Sequence, residues 1–217
     1  MRIGLTGGIG CGKSTVLQIF AEHGYHAYSA DSICHEAYLE TAIVDALLER
    51  WGKRILGEDG RPERRRIAGI VFEESVELEF LTGLLHPYLK QRLAELLAAE
   101  QQGGYPAIFE VPLLFEVGWE AMFDCTVAVW STPAVRYARL AERGWSPDET
   151  ARREQAQLSA DDKLEKADIG IINNGTRDEL LRHEPHVSDK VIACLNFNGD
   201  AKLNPMRLCF GLAELAR

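Results

Sequence analysis

Residues Gly7 to Ser14 read Gly-Gly-Ile-Gly-Cys-Gly-Lys-Ser, the spacing G-x-x-x-x-G-K-[ST] of a loop that holds nucleotide phosphates. The residue types explain the chemistry. Gly8, Gly10 and Gly12, with Cys11 between them, let successive backbone N–H groups turn inward and form a nest for phosphate oxygens. A helix that starts at Lys13 points the positive end of its dipole at the same oxygens. Lys13 then reaches the β- and γ-phosphates, the Ser14 hydroxyl holds Mg²⁺, and Thr15 supplies a second hydroxyl. A glycine-rich turn could match this spacing by chance. Here a short apolar strand (Ile3 to Leu5) precedes it and an amphipathic helix carrying Val16, Leu17 and Phe20 follows it. That context identifies a nucleoside triphosphate site.

The reaction is a separate question. A kinase needs a group that accepts the proton of an acceptor hydroxyl, and Asp31 is the leading candidate. It falls just past a strand that should lie beside the strand feeding the loop. The competing reading is an N-cap for a helix starting at Ser32. Arg136, Arg139 and Arg143 share one helix face, and Arg152 and Arg153 follow on the next helix. Guanidinium groups suit phosphate oxygens and transition-state charge. Residues 136–166 nevertheless hold seven Lys/Arg and seven Asp/Glu, so solvated helix faces explain these arginines equally well. No guanine-reading N-K-x-D occurs. The nearest approach to a motor-type ATPase signature is Ala107-Ile108-Phe109-Glu110, followed at once by Val-Pro-Leu-Leu. Two readings stay open at this point: a P-loop kinase for a small acceptor such as a nucleoside, a nucleotide or a hydroxy acid, and a nucleotide-dependent switch or ATPase.

The positioning elements alternate strand and helix. A helix from Lys13 stops near Gly24, a short strand around His26–Tyr28 follows, and residues 32 to about 99 read as mainly helical. In that stretch Ile43, Val44, Leu47, Leu48 and Trp51 share a face, Glu58 to Pro62 make a polar turn, and Arg64 to Phe72 form a helix. Pro87 reads as the first turn of a further helix with Leu89, Leu93, Leu96 and Leu97 inward. Ala107–Val111, Cys125–Trp130 and Ile169–Ile172 read as buried strands. A helix begins at Thr132-Pro133. Ser146 with Glu149, and Thr176 with Glu179, look like helix-capping pairs. The fold class that follows is α/β, a parallel sheet with helices on both faces. The helical stretch after the second strand becomes an insertion over the C-terminal rim, where ligands bind.

With 217 residues and a net charge of −9, the chain suits a nucleotide enzyme with local cations rather than a protein that grips nucleic acid through a basic surface. No apolar run approaches the ~20 residues that span a bilayer, and no signal peptide precedes the first strand. Five scattered cysteines without a C-x-x-C pair fit a reduced, cytoplasmic protein.

The chain resembles the dephospho-CoA kinase family over about residues 1 to 182. The resemblance rests on Leu5-Thr6-Gly7-Gly8-Ile9-Gly10 and Gly12-Lys13-Ser14-Thr15, then Ala30-Asp31 and Arg65 through Val71-Phe72. It continues with Leu84-Leu85-His86-Pro87 and Val111-Pro112-Leu113-Leu114-Phe115-Glu116. Arg139, Arg143, Gln157, Ala167-Asp168 and Asn173-Asn174-Gly175 complete it. The resemblance implies a P-loop kinase-type fold and transfer of the ATP γ-phosphoryl group to the ribose 3′-hydroxyl of dephospho-CoA, with Mg²⁺. It implies Asp31 as base, Lys13 and Arg139 on the phosphates, and Arg65, His86, Pro112 and Leu113 with Asp31 on the acceptor. His86-Pro87 also fits a packed histidine before a Pro-started helix. Residues 1–31, 103–135 and 167–217 would be the nucleotide-binding core. Residues 32–102 would be a helical acceptor domain and 136–166 a lid. A monomer or small homo-oligomer in the cytoplasm, without nucleic-acid or membrane partners, is the expectation.

The chain departs from the family pattern in places. Ser29-Ala30-Asp31 stands where Asp-Ala-Asp is common, and Glu110 stands where Asp is common before Val-Pro. Cys11 replaces a usual Ser at a helix N-terminus, which favours thiolate and makes oxidation there an expected block to ATP binding. The tail from His183 departs most.

Overall fold

Ile3 and Leu5 are fully buried, because the strand they occupy lies in the middle of a five-stranded sheet. The computed structural model describes residues 1–71, 74–177 and 180. Strand β1 (Arg2–Gly7) runs parallel to β3 (Ala107–Glu110) on one side and to β4 (Cys125–Trp130) on the other. Ile3 stands opposite both Ile108 and Cys125, and β4 pairs in parallel with β5 (Ile169–Ile172). The strand order is β2-β3-β1-β4-β5, with β2 (His26–Ser29) at the edge.

That order corrects one expectation. The strand that leads to Asp31 is not the neighbour of β1, since β3 lies between them. Burial explains the placement. All four residues of β3 are buried, as a central strand requires. By contrast, His26 and Ala27 of β2 are exposed, and Tyr28 and Ser29 only half-buried, as an edge strand permits.

The chain divides into two compact units, Met1–Tyr28 with the chain from Glu100, and Ser29–Ala99. The first contains the sheet with α1 (Lys13–Glu22), α6 (Pro133–Glu142), α7 (Pro147–Gln155) and α8 (Ala160–Lys166). Val16, Ile19 and Phe20 of α1 and Ala160 of α8 join Ile3, Leu5, Val127, Val129 and Ile171 in one core. Leu114 and Phe123 meet the sheet at Gly4, where an added Cβ would lie 2.8 Å from the Phe123 ring. Thus no larger residue fits there.

The second unit contains α2 (Ala30–Ala37), α3 (Thr41–Trp51), α4 (Arg64–Val71) and most of α5 (Ser75–Gly103). Its core gathers Ala37, Ile43, Leu47, Trp51, Ile55, Ile67, Val71 and Leu85. Pro87 is not at a helix start. It lies inside α5, which continues through it. A proline there removes one backbone bond and presses on the carbonyl four residues back. That residue is Gly83, and nothing stands within 4 Å of where its Cβ would be. Leu85, Leu89 and Leu93 are buried on either side of the proline, so packing carries the helix across it.

One capping expectation also changes. The Ser146 hydroxyl accepts the Glu149 N–H at 3.1 Å, but the Glu149 carboxylate pairs with Arg153 instead of returning the bond. The reciprocal box is at α8, where Ser159 and Asp162 cap each other. The Thr176–Glu179 pair lies partly outside the described residues, as does the tail from His183.

Candidate active site

The nucleotide-type loop leaves the C-terminal end of β1 and turns through left-handed glycines, Gly10 at φ 77° and Gly12 at φ 89°. Gly12 is the N-cap of α1. The loop is held from behind by the ends of β4 and β5. Asn173, just past β5, donates its Nδ2 to the Cys11 carbonyl at 2.9 Å, and its own N–H goes to the Trp130 carbonyl at 2.8 Å. Buried Ser131 donates to the Asn173 carbonyl at 2.5 Å. Arg139 reaches the same carbonyl at 3.0 Å and the Gly175 carbonyl at 2.9 Å. Arg139, Asn173 and the loop therefore form one hydrogen-bonded block.

Gly12 shows how tightly that block closes. A Cβ there would lie 2.3 Å from Asn173 Nδ2, and a non-glycine residue in left-handed geometry costs about 1–2 kcal/mol before any clash. Gly12→Ala is expected to lower Tm and weaken nucleotide binding by at least roughly tenfold, since 1.4 kcal/mol is one decade. Calorimetric titration with ATP checks this. Unchanged affinity would mean that the loop tolerates a displaced Asn173.

Lys13 donates to the Gly7 and Gly8 carbonyls, each at 3.1 Å, so its ammonium lies across the loop. Ser14 is exposed on the first turn of α1, and Thr15 is half-buried beside it. A cavity of about 170 Å³ adjoins the loop at Gly8 and Ile9, with Arg136, Glu154, Gln157 and Ala160 on its other walls. Arg136 pairs with Glu154, and Arg143 is exposed as the C-cap of α6. The three arginines expected on one face thus meet three different surroundings.

Cys11 overturns its expected chemistry. Its side chain is fully buried in the apolar core, and burial raises its thiol pKa even though Lys13 and Arg136 oppose the shift. Position in sequence suggested a helix-terminal thiolate, but the side chain is buried in the core, where desolvation disfavours the charged form. Wild type and Cys11→Ser are expected to lose activity at the same rate in mild peroxide. Markedly faster loss in wild type would restore the thiolate reading.

Past β3, Pro112 and Glu116 belong to a buried polar knot that sequence reasoning missed. Lys163 of α8 is 0% exposed, and its three donors go to the Pro112 carbonyl (2.7 Å), Gln157 Oε1 (2.9 Å) and Glu116 Oε1 (2.9 Å). Glu116 also accepts the Leu158 N–H at 2.9 Å. Burial lowers the Lys163 pKa, and Glu116 opposes that shift. The Pro112 carbonyl takes a second bond from Thr6 at 3.2 Å, whereas Leu113 stays partly exposed. The Pro-Leu-Leu-Phe-Glu run is therefore a joint between β1 and the Gln157–Leu158 segment. Lys163 gave no signal of this, being one of seven cations in an evenly charged segment.

In the second unit, Asp31 sits in the first turn of α2, whose N-cap is Ser29. It is exposed and is not itself the cap. Asp31, Cys34, His35 and Tyr38 fall on one stripe of the helix. Burial, helped by the Asp31 charge, pushes the Cys34 thiol up to about 11, while Arg64 works against them. Arg65 is exposed on α4, and His86 is half-buried inside α5, one residue before Pro87.

The loop geometry is that of a nucleotide-phosphate site, and sequence comparison decides which reaction it serves. The model of the dephospho-CoA kinase family matches residues 1–179. This chain belongs to the dephospho-CoA kinase family. The dephospho-CoA kinase of Fusobacterium nucleatum is 36% identical over 183 residues, which are 84% of this chain and 94% of that one. That of Aquifex aeolicus is 32% identical over 191 residues, 88% and 97% of the two chains. A crystal structure from Thermus thermophilus superposes with a TM-score of 0.73 at 30% identity, covering 92% of this chain and 98% of its own. The Campylobacter jejuni dephospho-CoA kinase shares the fold, at a TM-score of 0.66 and 23% identity over 88% of this chain and 95% of that one. A member of this family is a kinase, and the parallel sheet with its phosphate loop is the P-loop kinase architecture. Among the described residues, no helix is long and apolar enough to cross a membrane.

Proposed function

We propose that this kinase transfers the γ-phosphoryl group of ATP to the ribose 3′-hydroxyl of dephospho-CoA, giving coenzyme A and ADP in the cytoplasm. One observation carries the reading. A single continuous family match, residues 1–179, spans both the phosphate loop of the first unit and Asp31 with the arginines of the second.

Asp31 accepts the 3′-hydroxyl proton as the ribose oxygen attacks the γ-phosphorus, and the bond to the β–γ bridging oxygen breaks to release ADP. The N–H groups from Gly8 to Ser14 surround the phosphates, and Lys13 exchanges its two carbonyl contacts for phosphate oxygens. Arg139, already beside Gly12, takes up charge on the transferring group. The exposed Ser14 hydroxyl suits Mg²⁺, a hard cation that takes oxygen ligands and keeps several waters. A Mg²⁺ ion here would be held through Ser14. When bound, it neutralises phosphate charge.

Residues 32–102 serve as the acceptor domain, with Arg65 and His86, while Pro112 and Leu113 line the acceptor's path. Residues 136–166 act as a lid over ATP, and the enzyme works as a monomer or small homo-oligomer. NMR of the product from ATP and dephospho-CoA tests the regiochemistry. A single new phosphomonoester on the 3′-carbon is expected; phosphate at the 2′-position would overturn it.

A further inference from the structure

The cavity of about 170 Å³ beside the phosphate loop is smaller than the ~300–1,000 Å³ of sites that seat a whole small molecule. It takes a group of a few atoms, not a nucleoside. Its charged walls are Arg136 on α6, Glu154 on α7 and Asp161 on α8. Asp161 accepts the Trp130 indole N–H at 2.9 Å. Glu154 accepts from Arg136 through Oε1 and from the Tyr137 hydroxyl, at 3.2 Å, through Oε2. Two carboxylates and one guanidinium thus share the cavity with the loop residues Gly8 and Ile9.

Arg136 and Arg139 reach the loop at different places. Arg139 Nη1 lies 3.7 Å from where a Cβ on Gly12 would be, and its donors go to Ser131, Asn173 and Gly175. Arg136 meets the loop at Gly10, where an added Cβ would lie 3.0 Å from the Arg136 carbonyl and 3.2 Å from its Cβ. Its positive charge also acts on the Cys11 thiol. Lys13, whose ammonium in such loops reaches the β- and γ-phosphates, lies at Gly7 and Gly8. The cavity that Arg136 lines is therefore at the terminal-phosphate end of the loop.

Arg136 is only partly satisfied there. Its side chain is 11% exposed, its Nη1 goes to Glu154, and its Nε is buried with no hydrogen-bond partner among the described residues. A buried donor without an acceptor is costly to a fold, and one carboxylate oxygen does not satisfy a guanidinium fork. A phosphoryl group offers that fork three oxygens. Glu154 opposes the exchange. With it in place, carboxylates outnumber the guanidinium in the cavity and repel a phosphate. With it turned away, Arg136 and Lys13 outnumber Asp161. The Glu154 side chain is already 25% exposed, so its carboxylate can turn out to water.

We propose that Arg136 grips the terminal phosphate of ATP, and that Glu154 is its built-in competitor, a carboxylate that the γ-phosphate must displace. The assignment rests on ATP as the phosphoryl donor. It separates ATP from ADP: ADP has no γ-phosphate, leaves Arg136 with Glu154 and gains nothing from either residue.

Calorimetric titration with ATP and with ADP, each with Mg²⁺, on wild type, the two single variants and the double variant tests this. Glu154→Gln keeps the side-chain shape and is expected to tighten ATP binding by about 2–5-fold, the scale of a partly exposed ion pair, with ADP unchanged. Arg136→Gln is expected to weaken ATP binding by about tenfold, the low end for hydrogen bonds between charged groups, because Glu154 offsets part of the gain. ADP affinity again stays the same. In the Arg136→Gln background, Glu154→Gln should lose most of its benefit, since the competitor acts through Arg136. An undiminished benefit there would mean simple charge repulsion and overturn the displacement. Lost packing would move ATP and ADP together, so equal changes for both nucleotides overturn the proposal. So does a Glu154→Gln variant whose ATP-over-ADP preference is unchanged or lower, a result readable even where Arg136→Gln fails to fold. Wild type that binds neither nucleotide overturns the donor reading and this competitor together.

Discussion

Asp31→Asn is expected to lower kcat by ~10²–10⁴, the usual scale for a general base, while ATP binds with nearly unchanged affinity. The structure makes this substitution a clean one. Asp31 is exposed, and the N-cap of α2 is Ser29, so no capping bond is lost. Asparagine keeps the shape of the side chain and removes only the carboxylate. The ATP loop belongs to the first unit and Asp31 to the second, so the nucleotide contacts are built from other residues. Steady-state kinetics with calorimetric ATP titration checks both halves. A kcat within a few-fold of wild type would remove Asp31 as the base. A parallel loss of ATP affinity would instead assign it to nucleotide binding.

Glu116→Ala is expected to destabilise the protein by about 3–5 kcal/mol, the cost of leaving a buried charge without its partner. Lys163 is fully buried, and its ammonium is held by protein acceptors, the Pro112 carbonyl, Gln157 and Glu116. The same change strips the Leu158 N–H of its acceptor. At roughly 2–4 °C per kcal/mol for a chain of this size, Tm should fall by about 6–20 °C. Glu116→Gln keeps an acceptor oxygen for both donors and should lose less. Replacing the pair together, Lys163→Met with Glu116→Leu, should recover much of the loss, because two apolar side chains need no compensation. Thermal and urea denaturation measure it. A loss below about 1 kcal/mol, the range of exposed pairs, would show that water reaches the knot.

How legible these features were in the sequence depends on the range of the forces behind them. Gly10 and Gly12 were readable because their left-handed geometry is a local property of glycine. Strands Cys125–Trp130 and Ile169–Ile172 appeared with their observed ends, since continuous apolar runs bounded by polar residues leave little choice. Helix α5 was mis-started at Pro87 because a local rule about proline was outweighed by leucines buried on either side. The order of strands was misjudged at β2 because adjacency in sequence says less than the burial of β3 about which strand sits beside β1. Cys11 was misread because the loop's turn, and not its position at a helix start, sends the thiol inward. Lys163 could not be found at all. Its partners Pro112, Glu116 and Gln157 come from two distant stretches of chain, and nothing about a single lysine records that they converge on it.

The most direct test of the whole account is coupled ADP release on a panel of acceptors: dephospho-CoA, AMP, adenosine and a small hydroxy acid. Turnover with dephospho-CoA that exceeds every other acceptor is the predicted result, with release abolished in Lys13→Ala. Faster turnover with AMP or the hydroxy acid, or slow hydrolysis that no acceptor accelerates and that survives in Asp31→Asn, would contradict it.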